Sequence, residues 1–80
     1  MARTLYVSNL PWGTTEDELS RAFQPYADVK SCRIIMDRET GRSRGFGFVE
    51  VADEDAQKAI DAMNGTQLGG REIIVNEARP

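Results

Sequence analysis

The chain has 80 residues, 40% hydrophobic and 29% charged, a globular balance and one domain's length, 1–80, with room for only a small core. No apolar run is long enough to span a membrane and the start lacks the apolar stretch of a secretory leader, so an intracellular protein is expected, cytoplasmic or, in a eukaryote, nuclear. One cysteine, Cys32, and no histidine exclude an internal disulfide, a zinc site and a Ser/His or Cys/His nucleophile pair, so no metal, cofactor or enzyme activity is expected.

Residues 4–10 alternate in side-chain type, are rich in β-formers and stop at Pro11-Trp12-Gly13, which predicts a first strand. Thr15-Glu16-Asp17-Glu18 has the form of a capping box and starts a helix. Its apolar stripe is Leu19, Ala22, Phe23 and Tyr26, and Pro25 places its end near Gln24. A second strand follows over about 29–36, a polar loop containing Gly41 over 37–43, and a third strand over 44–51. Asp53 is the expected N-cap of a second helix with the stripe Ala56, Ala59, Ile60 and Met63, stopped by Asn64-Gly65. A turn through Gly69-Gly70 leads to a last strand over 71–77. The acids Glu16, Asp17, Glu18, Asp53, Glu54 and Asp55 read as helix caps and solvated charges.

The order is βαββαβ. Two helices with one apolar stripe each can cover only one face of a four-stranded sheet, leaving the other to solvent. Period-two alternation puts Phe46, Phe48 and Glu50 on one face of the third strand and Gly45, Gly47, Val49 and Val51 on the other, while Tyr6 and Ser8 oppose Leu5 and Val7 in the first. The aliphatic set makes the better core, and its glycines suit close approach of a helix. The aromatic set shares its face with Ser8, Glu50, Arg33 and Arg44, which a dry core would leave unpaired. Tyr6, Phe46 and Phe48 are therefore expected to be exposed. Cys32 falls in the aliphatic register with Ile34 and is expected to be a buried, inert thiol.

A net charge of -3 argues against nucleic acid until its distribution is considered. Between residues 30 and 44, Lys30, Arg33, Arg38, Arg42 and Arg44 outweigh Asp37 and Glu39 by +3, leaving -6 for everything else. Rings flanked by cations suit single-stranded nucleic acid, since every base offers a π-face and every linkage a phosphate.

Arg44-Gly45-Phe46-Gly47-Phe48-Val49-Glu50-Val51 resembles the ribonucleoprotein octamer of the RNA recognition motif family, and Leu5-Tyr6-Val7-Ser8-Asn9-Leu10 resembles its second motif. Val51 departs from the pattern, which commonly ends in an aromatic residue. Its parity places it on the core side. The stretch 37–44 is similar to glycine-rich and cold-inducible RNA-binding proteins, here without a glycine-rich tail.

The resemblance implies an α+β, ferredoxin-like βαββαβ sandwich, with a four-stranded antiparallel sheet in the order 4-1-3-2 and two helices on one face. It also implies that Tyr6 and Phe48 each stack on a base, Phe46 lies against the sugars between them and Arg44 pairs with a phosphate. Arg33 and Ile35 on the second strand, with Ile74 and Asn76 on the last, would border this platform. Arg42 in the loop would add a phosphate contact, and the backbone of Glu77, Ala78 and Arg79 would read base edges. Trp12 reads equally as a loop contact or a packing residue, and Asn9 as a turn former rather than a base reader.

The implied partner is single-stranded RNA, with single-stranded DNA as an alternative, bound by a monomer away from any membrane. Other activities of similar folds fit less well. An acyl-phosphate hydrolase needs an arginine converging on a glycine-rich loop after the first strand, where this chain has Pro11-Trp12-Gly13-Thr14, and a metal chaperone needs a Cys-x-x-Cys there. A protein-binding variant of the fold is the remaining alternative, and such variants typically lose the sheet aromatics.

Overall fold

A computed structural model describes residues 2–11, 13–36, 39 and 43–78, with the backbone alone at 36, 43 and 44. The elements are β1 (Ala2–Ser8), α1 (Glu16–Phe23), β2 (Val29–Met36), β3 (Ser43–Ala52), a 3-10 turn (Asp53–Asp55), α2 (Ala56–Met63), the two-residue strands β4 (Gln67–Leu68) and β5 (Arg71–Glu72), and β6 (Ile74–Glu77). Strands β2-β3-β1-β6 form one antiparallel sheet in that order, and β4 and β5 a separate hairpin. With β6 as the fourth main strand, this is the expected 4-1-3-2 arrangement. No helix among the described residues is long and apolar enough to cross a membrane.

Alternation sorts the sheet as expected. Leu5, Val7, Val49, Val51, Ile73 and Val75 are fully buried and pack with Leu19 and Phe23 of α1 and Ala56, Ala59 and Met63 of α2. Each large aliphatic side chain so buried contributes roughly 1.5–3 kcal/mol of transfer free energy. Val51, the departure in the octamer, belongs to this core.

The local signals of α1 operate as predicted at the Thr15 half of the capping box and at the helix end; the return bond from the Glu18 side chain is not made among the described residues. Thr15 is its N-cap, the hydroxyl accepting from the amide of Glu18 at 3.1 Å, and the helix ends at Phe23 with Gln24 as C-cap. Tyr26 does not complete the stripe: it is 41% exposed. The helix ends where Pro25 predicts, before Tyr26 is reached; the amides of Tyr26 and Ala27 both donate to the carbonyl of Phe23, and Ala27 takes the core position.

Three further expectations are corrected. Asp53 does not cap α2; it lies in the 3-10 turn and its carboxylate pairs with Arg3 at 2.7 Å. The segment 71–77 is not one strand, because Ile73 leaves the ladder and its amide donates to Thr66, closing off the hairpin. Gly47 is required by β2 rather than by a helix: a Cβ there would run into the carbonyl oxygen of Arg33 and lie 3.2 Å from Cα of Ile34.

Two helix acids also do more than solvate. Glu16 accepts the amide of Ile34 at 3.1 Å, tying α1 to β2 where the β2–β3 register shifts, and Asp55 accepts the amide of Asp28 at 3.0 Å.

Candidate nucleic-acid interface

Both helices pack on the aliphatic face, so the opposite face carries the alternate residues of each strand. Across β1 and β3, Thr4 faces Glu50, Tyr6 faces Phe48 and Ser8 faces Phe46; across β3 and β2, Glu50 faces Ser31 and Phe48 faces Arg33. On the other side of β1, Tyr6 faces Asn76 and Ser8 faces Ile74. Three rows therefore cross the sheet. One is polar, through Glu50; one runs Arg33, Phe48, Tyr6, Asn76; and one runs Phe46, Ser8, Ile74.

The rings form one cluster. Tyr6 lies 5.7 Å from both Phe46 and Phe48 between centroids, and Phe46 meets Phe48 edge-on at 6.4 Å. All three are partly exposed rather than fully so, because each shields its neighbours. Tilted contacts of this kind hold the rings in place and leave their outer faces open to a planar ligand.

The border of the cluster is mixed. Arg33 and Asn76 are exposed, and Ile74 is 45% exposed, a large apolar side chain facing solvent. Ile35 is partly exposed and falls within the register shift between Ile34 and Met36, so it has no paired residue on β3. Ala78 follows β6, and its amide donates to the carbonyl of Thr4 at 3.0 Å. That donor is thus committed to the sheet, which leaves the carbonyl as the backbone group of Ala78 that could meet a base edge. Glu77 pairs with Arg3 at 3.4 Å. Arg44 belongs to β3 by its backbone, while Trp12, Arg38, Arg42 and Arg79 lie outside the described residues.

Ion pairing divides the described cations. Arg3 meets Asp53 and Glu77, Arg21 meets Asp17, Lys30 meets Asp28 and Lys58 meets Asp55. Arg33, beside Phe48, is in no ion pair among the described residues, so its charge is available to a ligand. Glu50 is likewise in none.

Cys32 is half-buried, packed beside the core, and its thiol is pushed up to about 11 by burial and then by the charge of Glu16. It is held as an uncharged thiol at neutral pH. Among the described residues no three His, Cys, Asp or Glu side chains gather as a metal site.

One structural feature at the rim escaped the sequence reading. Asn9, in left-handed conformation at φ 61°, donates to the carbonyl of Glu72 at 2.7 Å and accepts from Arg71 at 2.6 Å, fastening the β4–β5 hairpin to the end of β1. The hairpin itself was signalled by Gly69-Gly70, whose φ values of 59° and 87° suit a tight two-residue turn.

Known proteins share this arrangement. The chain is 55% identical over 75 residues to the glycine-rich RNA-binding protein blt801 of Hordeum vulgare, covering 92% of this chain and 47% of that protein. It spans about half the length of the curated relatives it matches. Among solved structures, that of RNA-binding protein PG1 superposes with a TM-score of 0.89 at 47% identity over 98% of both chains. A chain described as a SXL-lethal protein/RNA complex superposes with a TM-score of 0.87 at 39% identity, over 95% of this chain and 47% of its own. The model of the RNA recognition motif matches residues 5–74, taking in β1 with Tyr6, β3 with Phe46 and Phe48, and both helices beneath them. By motif, sheet order and relatives alike, the chain belongs to the RNA recognition motif family.

Proposed function

We propose that the protein binds single-stranded RNA across the uncovered face of its sheet, without catalysing a reaction. The observation that carries this reading is the cluster of Tyr6, Phe46 and Phe48 on the face away from both helices, with the guanidinium of Arg33, in no ion pair among the described residues, beside it. Bases stack on Tyr6 and Phe48, and Phe46 packs against the ribose between them. Arg33, with Arg44 and Arg42 as the resemblance has them, neutralises phosphates, while Ile35, Ile74 and Asn76 flank the bases. Ala78 stands at the exit of the last strand, where it has its carbonyl rather than its amide to offer, and Arg79 joins it as the resemblance has it. The partner named for the relatives, RNA, is the same.

Stacking contributes about 1–3 kcal/mol per base, so affinity from this one sheet is modest. The test is a titration of labelled short single-stranded RNA into wild type and Phe48→Ala, with parallel DNA oligonucleotides and circular dichroism of both proteins. Phe48→Ala weakens RNA binding and keeps the wild-type spectrum. Equal affinity for the two proteins rejects the stacking platform.

A further inference from the structure

Among the strand residues that alternation places on the open face, Glu50 is the one carboxylate. It lies two residues along β3 from Phe48, about 7 Å by strand geometry, and is partly exposed. Its cross-strand neighbours Thr4 and Ser31 carry no charge. Other acids have tasks: Asp53 and Glu77 hold Arg3, Asp17 pairs with Arg21, Asp28 with Lys30, and Glu16 and Asp55 accept backbone amides. Glu50 takes part in no ion pair or side-chain hydrogen bond among the described residues. An acid with free lone pairs is thus fixed at one end of a stacking surface, in the row next to the rings.

A base laid on Phe48 presents its edge near this row, and docking strips water from the carboxylate. The group must then find donors or lose its hydration uncompensated. Phosphate oxygens repel it. Uracil offers one ring N–H between two carbonyl oxygens, and adenine and cytosine offer an amino group beside a ring nitrogen that repels the second carboxylate oxygen. Guanine alone sets two donors side by side, N1–H and the N2 amino group, spaced for both oxygens of a carboxylate. We propose that Glu50 reads the base edge at the Phe48 position and makes the protein prefer guanine there, with uracil the most disfavoured; this rests on the RNA-binding reading above.

Specificity of this kind is a difference between affinities and is measured as a ratio. The probes are fluorescein-labelled hexanucleotides: oligouridylate, the same with one guanosine moved through each position, and the same with inosine, which lacks the N2 amino group. Wild type binds the best guanosine hexamer about ten-fold more tightly than oligouridylate, the size expected of a bidentate base contact, with inosine between. Glu50→Gln and Glu50→Ala both bring the guanosine-to-uridine ratio close to one, whereas Phe48→Ala lowers all affinities. If wild type shows no guanosine preference, or the Glu50 variants keep it while Phe48→Ala still weakens binding, the role of Glu50 is overturned and the platform stands. If Phe48→Ala leaves every affinity unchanged, or wild type binds none of the hexamers, both fall.

Discussion

Asn9 holds Glu72 across 63 positions of sequence, its side-chain amide donating to the Glu72 carbonyl at 2.7 Å. The bond forms because Asn9 sits at φ 61°, which turns its side chain from the end of β1 toward the hairpin. Asn9→Ala therefore loses two hydrogen bonds and puts at φ 61° a residue that tolerates the left-handed region less well than asparagine, where the full strain for an ordinary L-residue is about 1–2 kcal/mol. Asn9→Gly loses the bonds without the strain. Urea unfolding is expected to rank stability as wild type, then Asn9→Gly, then Asn9→Ala.

Gly47 and Gly13 make a contrasting pair. A Cβ at Gly47 collides with the backbone of Arg33 and Ile34, whereas one at Gly13 meets nothing within 4 Å. Strand backbones cannot give way as flexible side-chain ends can, so Gly47→Ala should cost upwards of about 2 kcal/mol. Gly13→Ala should change stability by less than about 1 kcal/mol in either direction. Thermal melts of the two variants check both.

Cys32 should resist thiol reagents in the folded protein. Its thiol is raised from an ordinary 9.0 to about 11 by burial and by Glu16, and only the thiolate reacts. Reaction with an aromatic disulfide reagent at pH 8 is expected to be slow in buffer and fast in urea. The folded state prefers the neutral thiol, so the stability it contributes is complete below pH 9 and is lost as pH rises from about 9 to about 11.

Salt should weaken RNA binding only gently. Four described cations are held by carboxylates while Arg33 is not. Each phosphate neutralised adds about 0.7 to the slope of log affinity against log salt for a single strand. Arg33→Gln is expected to lower the slope by about that amount, and Lys58→Gln, whose ammonium pairs with Asp55 on the helical side, to leave it unchanged. A steep wild-type slope would mean that the basic segment, not the rings, dominates.

Alternation made the sheet legible from sequence: Phe46 and Phe48 against Val49 and Val51 is a period-two pattern that permits one register. Capping chemistry did the same for Thr15. What stayed hidden depends on partners distant in sequence. Nothing local says that Asp53 will leave its capping position for Arg3, that the Ala78 amide will be spent on Thr4, or that Gly47 faces the β2 backbone. Tyr26 fits a helical stripe on paper, but the position exists only if the helix runs one turn further than it does.

The two tyrosines end up on different sides of the molecule, Tyr6 in the ring cluster of the open face and Tyr26 in the turn after α1, facing solvent. The chain thereby carries both a reporter and its reference. A base settling on Tyr6 would alter the ring's ultraviolet absorption and chemical accessibility, while those of Tyr26, 41% exposed and away from the ring cluster, would stay as they are. Nitration followed by peptide mapping would read occupancy as the ratio of the two modified rings, with no label attached to either molecule.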